Sequence, residues 1–513
     1  MQVLVLCKLS DEALLQFDAY ALEVRVFHPE SDVLQTLLPQ FQALVIDHDF
    51  VMDAEMLALA KECTVIATLS KDISNIDLEL ATEMGITVIN VSRSISGAIA
   101  EFTLWQMFTL ARFYSAEPFE LKNKVLGIIG MGNVGAQVAK RAHALQMQVL
   151  CYDPYLSSSR SHAYQVQRVE LADLLIASDI VSIHTPLTEE TADLLGYDRL
   201  LLMKKNALLI NNAHPSITPY EDLARALTAG PLGALAMDLP EEWTAHDGLI
   251  ALPNAIVTRK KAQVTRESAI GIGKELSDEL HQIEQFSTSH NAINLPVVPE
   301  YQQDLYRPML LNATFAGTFL GQYVSDAIEE IVLYEHAPLP DPAPLIHTFL
   351  TSFLLAYGLD NVNYVNALTL AYRNNIRIRT EKGSGGEKGL GVKISTEKLS
   401  YGLTVHTDHE ENIIITAIDS ISFTALPAEH ILLIWHKPQP GVVGLIGTAL
   451  GACGINISGM VLNETHADEE RSVIFINIDR ALDQDVLNGI AKYENVFAAN
   501  YVHIAPNLPK HFV

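Results

Sequence analysis

The sequence predicts an α/β chain: doubly wound parallel sheets first, then two smaller units that mix helices with strands. Three observations predict it. Short β-branched runs alternate with amphipathic helical patterns from Val3 to Thr258. A strand breaks into a glycine-spaced turn at Val125–Gly135. The last stretch, about 429 to 505, reads strand, helix, strand, strand, helix, strand. At 513 residues the chain is too long for one core, so three or four domains are expected.

The first runs are Val3–Cys7, Val24–Phe27, Ala43–Asp47, Val65–Leu69 and Thr87–Asn90, short and β-branched, alternating with helical patterns. This is the pattern of a small parallel α/β domain, completed before the nucleotide domain begins. A helix from Gly97 to about Arg112 leads toward Lys124. After the glycine turn the alternation resumes through Ile180–His184, Ala207–Asn211, Gly233–Asp238 and Ala255–Thr258, with helices at Val169–Ala177 and Thr218–Ala229. The expected divisions are 1–98, completed by a returning helix within 264–290, then 99–263, 291–428 and 429–513.

The turn itself reads VLGIIGMGNVG. Gly130 permits a tight strand-to-helix turn, Gly132 lets backbone approach a pyrophosphate, and Gly135 lets helix and strand pack closely. The helix opening with Asn133 and Val134 presents free N–H groups to an anion. Asp153, 18 residues beyond Gly135, ends a second apolar run. Its carboxylate would accept from ribose hydroxyls and repel a 2′-phosphate, so NAD is expected over NADP. The segment 99–263 is therefore expected to be a Rossmann-type nucleotide domain.

Net charge is −27, from 34 basic and 61 acidic residues. Such a surface repels nucleic acid and anionic membranes, and neither is an expected partner. Cys7, Cys63, Cys151 and Cys453 are scattered without paired spacing. They read as buried thiols of a reducing compartment, with neither a disulfide frame nor a metal site. The start, MQVLVLCKLSDE, lacks a basic leader and reads as a first strand. With no run long enough to span a bilayer, a cytoplasmic protein is expected.

Asn291–Pro299 has the composition of a linker. The unit beyond it carries a Pro-rich loop, Pro338–Pro344, and a Gly-rich loop, Gly383–Gly391, read as a flexible hairpin connection. The last unit resembles the ACT domain, an amino-acid sensing module that pairs with its own copy. Pro440-Gly441-Val442 and Gly454-Ile455-Asn456-Ile457 stand at that family's spacing. In the family, polar residues at the positions of His436 and Asn456 face the effector.

Taken whole, the sequence resembles the long-form D-3-phosphoglycerate dehydrogenases within the NAD-dependent D-2-hydroxyacid dehydrogenases. Ile76-Asp77-Leu78, Ala100-Glu101, His184-Thr185-Pro186-Leu187-Thr188, Ile210-Asn211, Arg307-Pro308 and Asn363-Tyr364-Val365-Asn366-Ala367 carry the likeness. It implies a flavodoxin-like substrate domain, the nucleotide domain, an allosteric-substrate-binding domain and the ACT domain. It also implies a homo-oligomer, dimer or tetramer, acting on a 2-keto or 2-hydroxy acid in serine biosynthesis. His184, Thr185, Pro186, Asn212, Ala213 and Asp238 fall at cofactor-facing positions, Asp238 at the one that accepts the nicotinamide amide.

The reacting positions depart from that family. His214 stands where an Arg clamps the substrate carboxylate, and Lys260 where a His serves as acid and base. Trp243 stands at the supporting Glu, and only a one-residue slip brings in Glu242. The first substrate loop reads Asp47-His48-Asp49; Lys71 and Arg93 are the cations in the next two and the candidate substrate contacts. The stretch from Arg112 to Leu121 is shorter than the family's connection. Lys260 can give a proton to a keto oxygen, and Arg259 and Lys261 with partial burial would ease its return. Two readings follow: an NAD-dependent oxidoreductase of altered substrate or reduced activity, or an NAD(H)- and ligand-binding regulator without turnover.

Overall fold

The structure is a computed structural model that describes all residues except 28–33, 71–72, 241–242, 287–288, 290, 299–301, 338, 384–388, 420, 464–470 and 506–513. Five parallel strands form the first sheet in the order β2-β1-β3-β4-β5: β1 Gln2–Val5, β2 Glu23–Val26, β3 Ala43–Ile46, β4 Val65–Thr68 and β5 Thr87–Asn90. Every residue of β3 and β4 is buried. The helix Arg266–Phe286 covers this sheet, placing Leu276, Leu280 and Ile283 in one core with Val3, Val5 and Ala67. Their spacing of four and three puts them on one face of the helix. The segment 291–294 is no loose tether. Ile293 N–H donates to the Val88 carbonyl and Asn294 Oδ1 accepts from Val88 N–H, both at 2.8 Å. The unpaired side of edge strand β5 supplies those groups.

Seven parallel strands form the second sheet, in the order β12-β11-β10-β9-β6-β7-β8. They are β6 Val125–Ile129, β7 Gln148–Tyr152, β8 Gln167–Arg168, β9 Ile180–Ile183, β10 Ala207–Asn211, β11 Leu232–Leu239 and β12 Ala255–Arg259. The strand order reverses at β6, so a crevice opens beyond the carboxyl ends of β6 and β9. Only β8 lacks any hydrophobic signal: both its residues are polar and exposed at the sheet edge.

The third sheet mixes directions in the order β14-β13-β15-β16-β17-β18, with β13 Ile328–Glu335, β14 Arg377–Lys382, β15 Gly389–Thr396, β16 Ser400–Thr407, β17 Ile413–Ile418 and β18 Ile421–Ala425. The helices Gln303–Tyr323 and Ala343–Tyr357 pack against each other beside it, and a Cβ on Gly317 would come within 2.5 Å of the Phe349 carbonyl oxygen. The hairpin expected at Gly383–Gly391 is a correction. β14 runs parallel and β15 antiparallel to β13, so the two strands flank β13 and are not partners. Glycine content marked the loop, but nothing local encodes which strand each end pairs with. Residues 384–388 of that loop lie outside the described residues.

The fourth sheet has the order β20-β21-β19-β22, from β19 His430–His436, β20 Ile457–Leu462, β21 Ser472–Ile478 and β22 Val496–His503. Strand β19 is buried throughout except at its partly exposed first residue, and its alternation explains why. Leu432 and Ile434 face this unit's own helices, whereas Ile431, Leu433 and Trp435 join the core of the third unit.

Three cysteines are buried, with burial pushing Cys7 and Cys63 up to about 12 and Cys151 to about 11. Cys453 corrects the expectation: it caps the end of helix Val442–Ala452 and is exposed. Among the described residues, no helix is long and apolar enough to cross a membrane.

Candidate active site

Strand β6 ends in Gly130, whose φ of +91° is open to glycine at no steric penalty. A Cβ there would also lie 2.7 Å from Thr185 N and 2.8 Å from the His184 carbonyl carbon. Thus the turn lies directly on His184-Thr185-Pro186, the segment leaving β9. The His184 N–H donates to the Ile129 carbonyl at 2.7 Å, and its ring Nε2 meets Ser182 Oγ at 2.8 Å. Gly135, in the first turn of helix Asn133–Ala144, lies so close that a Cβ would fall 2.2 Å from the Gly130 carbonyl oxygen.

The space before this helix is shaped for an anion. A Cβ on Gly132 would meet nothing within 4 Å, and no side chain caps the helix. The first-turn N–H groups of Asn133, Val134 and Gly135 therefore face outward without an intrahelical partner. Asp153, at the end of β7, accepts from Met131 N–H at 2.8 Å and from Tyr155 N–H at 2.9 Å. This draws the carboxylate to the rim of the glycine turn with lone pairs remaining for ribose hydroxyls. Replacing Asp153 with alanine is expected to weaken NADH binding about 10- to 100-fold, the range of a charge-assisted hydrogen bond. NADPH should lose less or gain; fluorescence titration with both nucleotides checks it.

Across the crevice, Asn212 at the end of β10 donates its amide to Thr103 Oγ1 at 2.9 Å and Gln106 Oε1 at 2.7 Å. It thereby ties the nucleotide sheet to the helix Ser96–Thr109. Ala213 N–H is held by Asn211 Oδ1 at 3.0 Å. Asp238 accepts from Thr258 Oγ1 at 2.6 Å, from Lys261 N–H at 3.0 Å and from Ala262 N–H at 2.9 Å. Its carboxylate is committed to holding the turn that carries Lys260.

Lys260 sits at the apex of that turn with φ +48°, a left-handed conformation costing about 1–2 kcal/mol for a side chain of this kind. The partial burial expected for it is corrected: Lys260 is exposed. Arg259 is no simple like-charged neighbour either. Its guanidinium pairs with Asp247 and donates to the Trp243 carbonyl at 2.7 Å, strapping the 243–247 loop onto β12. Among the described residues no hydrogen bond or ion pair engages the Lys260 ammonium.

The residues at the Arg and Glu positions form a packed cluster. His214 Nδ1 accepts from Ser216 N–H at 3.1 Å. The Trp243 ring meets it edge-on with centroids 5.2 Å apart. Trp243 Nε1–H donates to His246 Nδ1 at 2.9 Å, and buried His246 in turn donates from Nε2 to the Thr218 carbonyl at 3.1 Å. Sequence reading missed His246 and Gln106; a buried histidine after a tryptophan carries no local signal. Glu242 and Lys71 lie outside the described residues. Arg93 is exposed and donates to Asn291 Oδ1 at 3.1 Å, while its backbone N–H is held by Glu275.

In the C-terminal unit, His436 is buried, its Nδ1–H donating to the Lys437 carbonyl at 2.9 Å. Asn456 is exposed and its N–H is held by Asp479 Oδ1 at 3.0 Å. The register pairs His436 with Ser472 but Ile457 with Ile478, so the two sit at opposite ends of the sheet. One copy of the chain does not bring them to a shared ligand.

Parallel strands converging on an uncapped glycine turn, with an acid at the next strand, define an NAD-binding dehydrogenase fold. The family profile described as D-isomer specific 2-hydroxyacid dehydrogenase, NAD binding domain, matches residues 83–259. Residues 83–259 thus carry the NAD-binding domain of the D-isomer specific 2-hydroxyacid dehydrogenases, and NAD is the cofactor. The chain is similar to the D-3-phosphoglycerate dehydrogenase of Archaeoglobus fulgidus, 29% identical over 534 residues, 98% of this chain and 100% of that protein. That of Methanocaldococcus jannaschii is 28% identical over 474 residues, covering 88% and 90% respectively. Among solved structures, the TT0316 protein of Thermus thermophilus superposes with a TM-score of 0.50 at 30% identity, covering 57% of this chain and all of that one.

Proposed function

We propose that this protein is an NADH-dependent reductase of a small 2-keto acid, with a substrate other than phosphoglycerate. The observation that carries the reading is Lys260, an unpartnered ammonium held in a strained turn by Asp238 at the carboxyl edge of the nucleotide sheet. NADH, when bound, supplies a hydride to the keto carbon. Lys260 supplies the proton to the keto oxygen, so the product is the 2-hydroxy acid. Asp47 and Asp49 oppose a phosphorylated acid, and His214 lacks the forked guanidinium that would grip a carboxylate bidentately. The substrate is accordingly expected to carry a single carboxylate.

A second reading is favoured by the packed His214–Trp243–His246 cluster: NAD(H) docks, the reaction loops serve only as structure, and the chain acts as a nucleotide-dependent regulator. One assay separates the two. NADH binding is followed by fluorescence, then NADH absorbance with unphosphorylated 2-keto acids and with 3-phosphohydroxypyruvate. Oxidation of NADH by an unphosphorylated keto acid, in preference to the phosphorylated one, is expected. Binding without turnover across the panel overturns the reductase in favour of the regulator.

A further inference from the structure

We propose that Glu429, His430 and His503 form a binding site for one divalent transition-metal ion, Zn²⁺ foremost, at the start of the C-terminal sheet. The Glu429 carboxylate, the His430 ring and the His503 ring each offer one ligand atom, and these atoms all lie within 4.8 Å of one another. His503 Nε2 is 3.2 Å and His430 Nε2 3.8 Å from Glu429 Oε1. Ligand atoms around a tetrahedral Zn²⁺ at about 2.0–2.1 Å from the metal stand roughly 3.3 Å apart. Small side-chain adjustments therefore suffice.

Backbone register sets the site. His430 and His503 are direct partners across the antiparallel β19–β22 pair, so their side chains share a face. The rings stack with centroids 5.1 Å apart. Glu429 precedes β19, where its carbonyl accepts from Ile504 N–H at 2.8 Å, bringing its carboxylate to the same end. A supporting partner is in place: His430 Nδ1 is 2.7 Å from Tyr501 Oη, leaving Nε2 to the metal. His503 is fixed through its backbone, which exchanges hydrogen bonds of 2.9 and 3.0 Å with the Gln322 side chain on helix Gln303–Tyr323. The ion would thus close the end of the C-terminal sheet beside its seam with the third unit.

Two imidazoles and one carboxylate suit a borderline ion such as Zn²⁺, Co²⁺ or Ni²⁺, whereas Mg²⁺ and Ca²⁺ take oxygen ligands. Glu429 and His503 are each about half exposed, at 45% and 47%, giving the ion a route in and leaving a fourth position to water. A net charge of −27 raises the local cation concentration further.

The test uses the full chain, stripped with a chelator and dialysed. Calorimetric titration with Zn²⁺ and the visible ligand-field bands of Co²⁺ are expected to report one saturable site per chain, not competed by Mg²⁺. Tyr501→Phe should weaken it about 10–100-fold, the usual effect of losing a ligand's hydrogen-bond partner. Glu429→Gln and His503→Ala, both at partly exposed positions, should weaken it more and together abolish it. Circular dichroism and thermal melting of each metal-free variant, matching the parent chain, confirm that the C-terminal sheet is folded. Absence of a stoichiometric site in the parent chain overturns the proposal, as does unchanged affinity in the Glu429→Gln/His503→Ala double variant.

Discussion

Replacing Lys260 with methionine is expected to lower NADH-dependent keto-acid reduction by about 10²–10⁴-fold, the usual contribution of a positioned general acid. NADH affinity should not change, because the turn is held by Asp238 through backbone groups that the substitution leaves alone. The fall should appear in kcat rather than KM, since the ammonium acts on the keto oxygen as charge develops there. Lys260→Asn is a useful companion: asparagine tolerates the left-handed conformation at φ +48° but carries no proton to donate. It should fold at least as well as the parent and lose the same activity. Lys260→Arg should retain part of it. A rate unchanged in the methionine and asparagine variants removes Lys260 from the chemistry.

Gly135→Val is expected to abolish useful NADH binding and to destabilise the nucleotide domain. Even a Cβ would stand 2.2 Å from the Gly130 carbonyl oxygen, a backbone atom that cannot rotate away. The helix Asn133–Ala144 must therefore withdraw from β6. Overpacking of this kind costs about 1–3 kcal/mol. Withdrawal also carries the first-turn N–H groups off the pyrophosphate. Loss of two charge-assisted hydrogen bonds at about 1.5 kcal/mol each weakens NADH by roughly 100-fold or more. Gly132→Ala separates the two effects. Its Cβ meets nothing within 4 Å, so thermal stability should hold while the cofactor's approach is obstructed. Melting temperatures and NADH titrations on both variants check this, and parental affinity in Gly135→Val contradicts it.

The fold class and the cofactor were legible because their signals are local. Strand runs such as Ala43–Ile46 and Ala207–Asn211 announce burial by composition. The Gly130–Gly135 spacing writes a turn, a close approach and a helix start into six consecutive residues. Less was legible where pairing joins distant segments. The two-residue edge strand Gln167–Arg168 has no apolar run, and the Gly-rich loop of the third unit gives no hint that its flanking strands straddle a third. The substituted positions His214, Trp243 and Lys260 could be named from the sequence, but their surroundings could not. Contact between His214 and Trp243, the relay through His246 to Thr218, and the exposure of Lys260 come from loops packed at the ends of separate strands.

By itself, then, the sequence determined a doubly wound sheet that binds NAD and a βαββαβ unit at its far end, since periodicity and glycine spacing act over a few residues. Only the tertiary structure decided what stands together across the chain. It joined Glu429 and His430 to His503, whose places in the sequence suggest no common site, and set His436 and Asn456 at opposite ends of one sheet. Register between strands, which local patterning leaves open, is the physical reason for both.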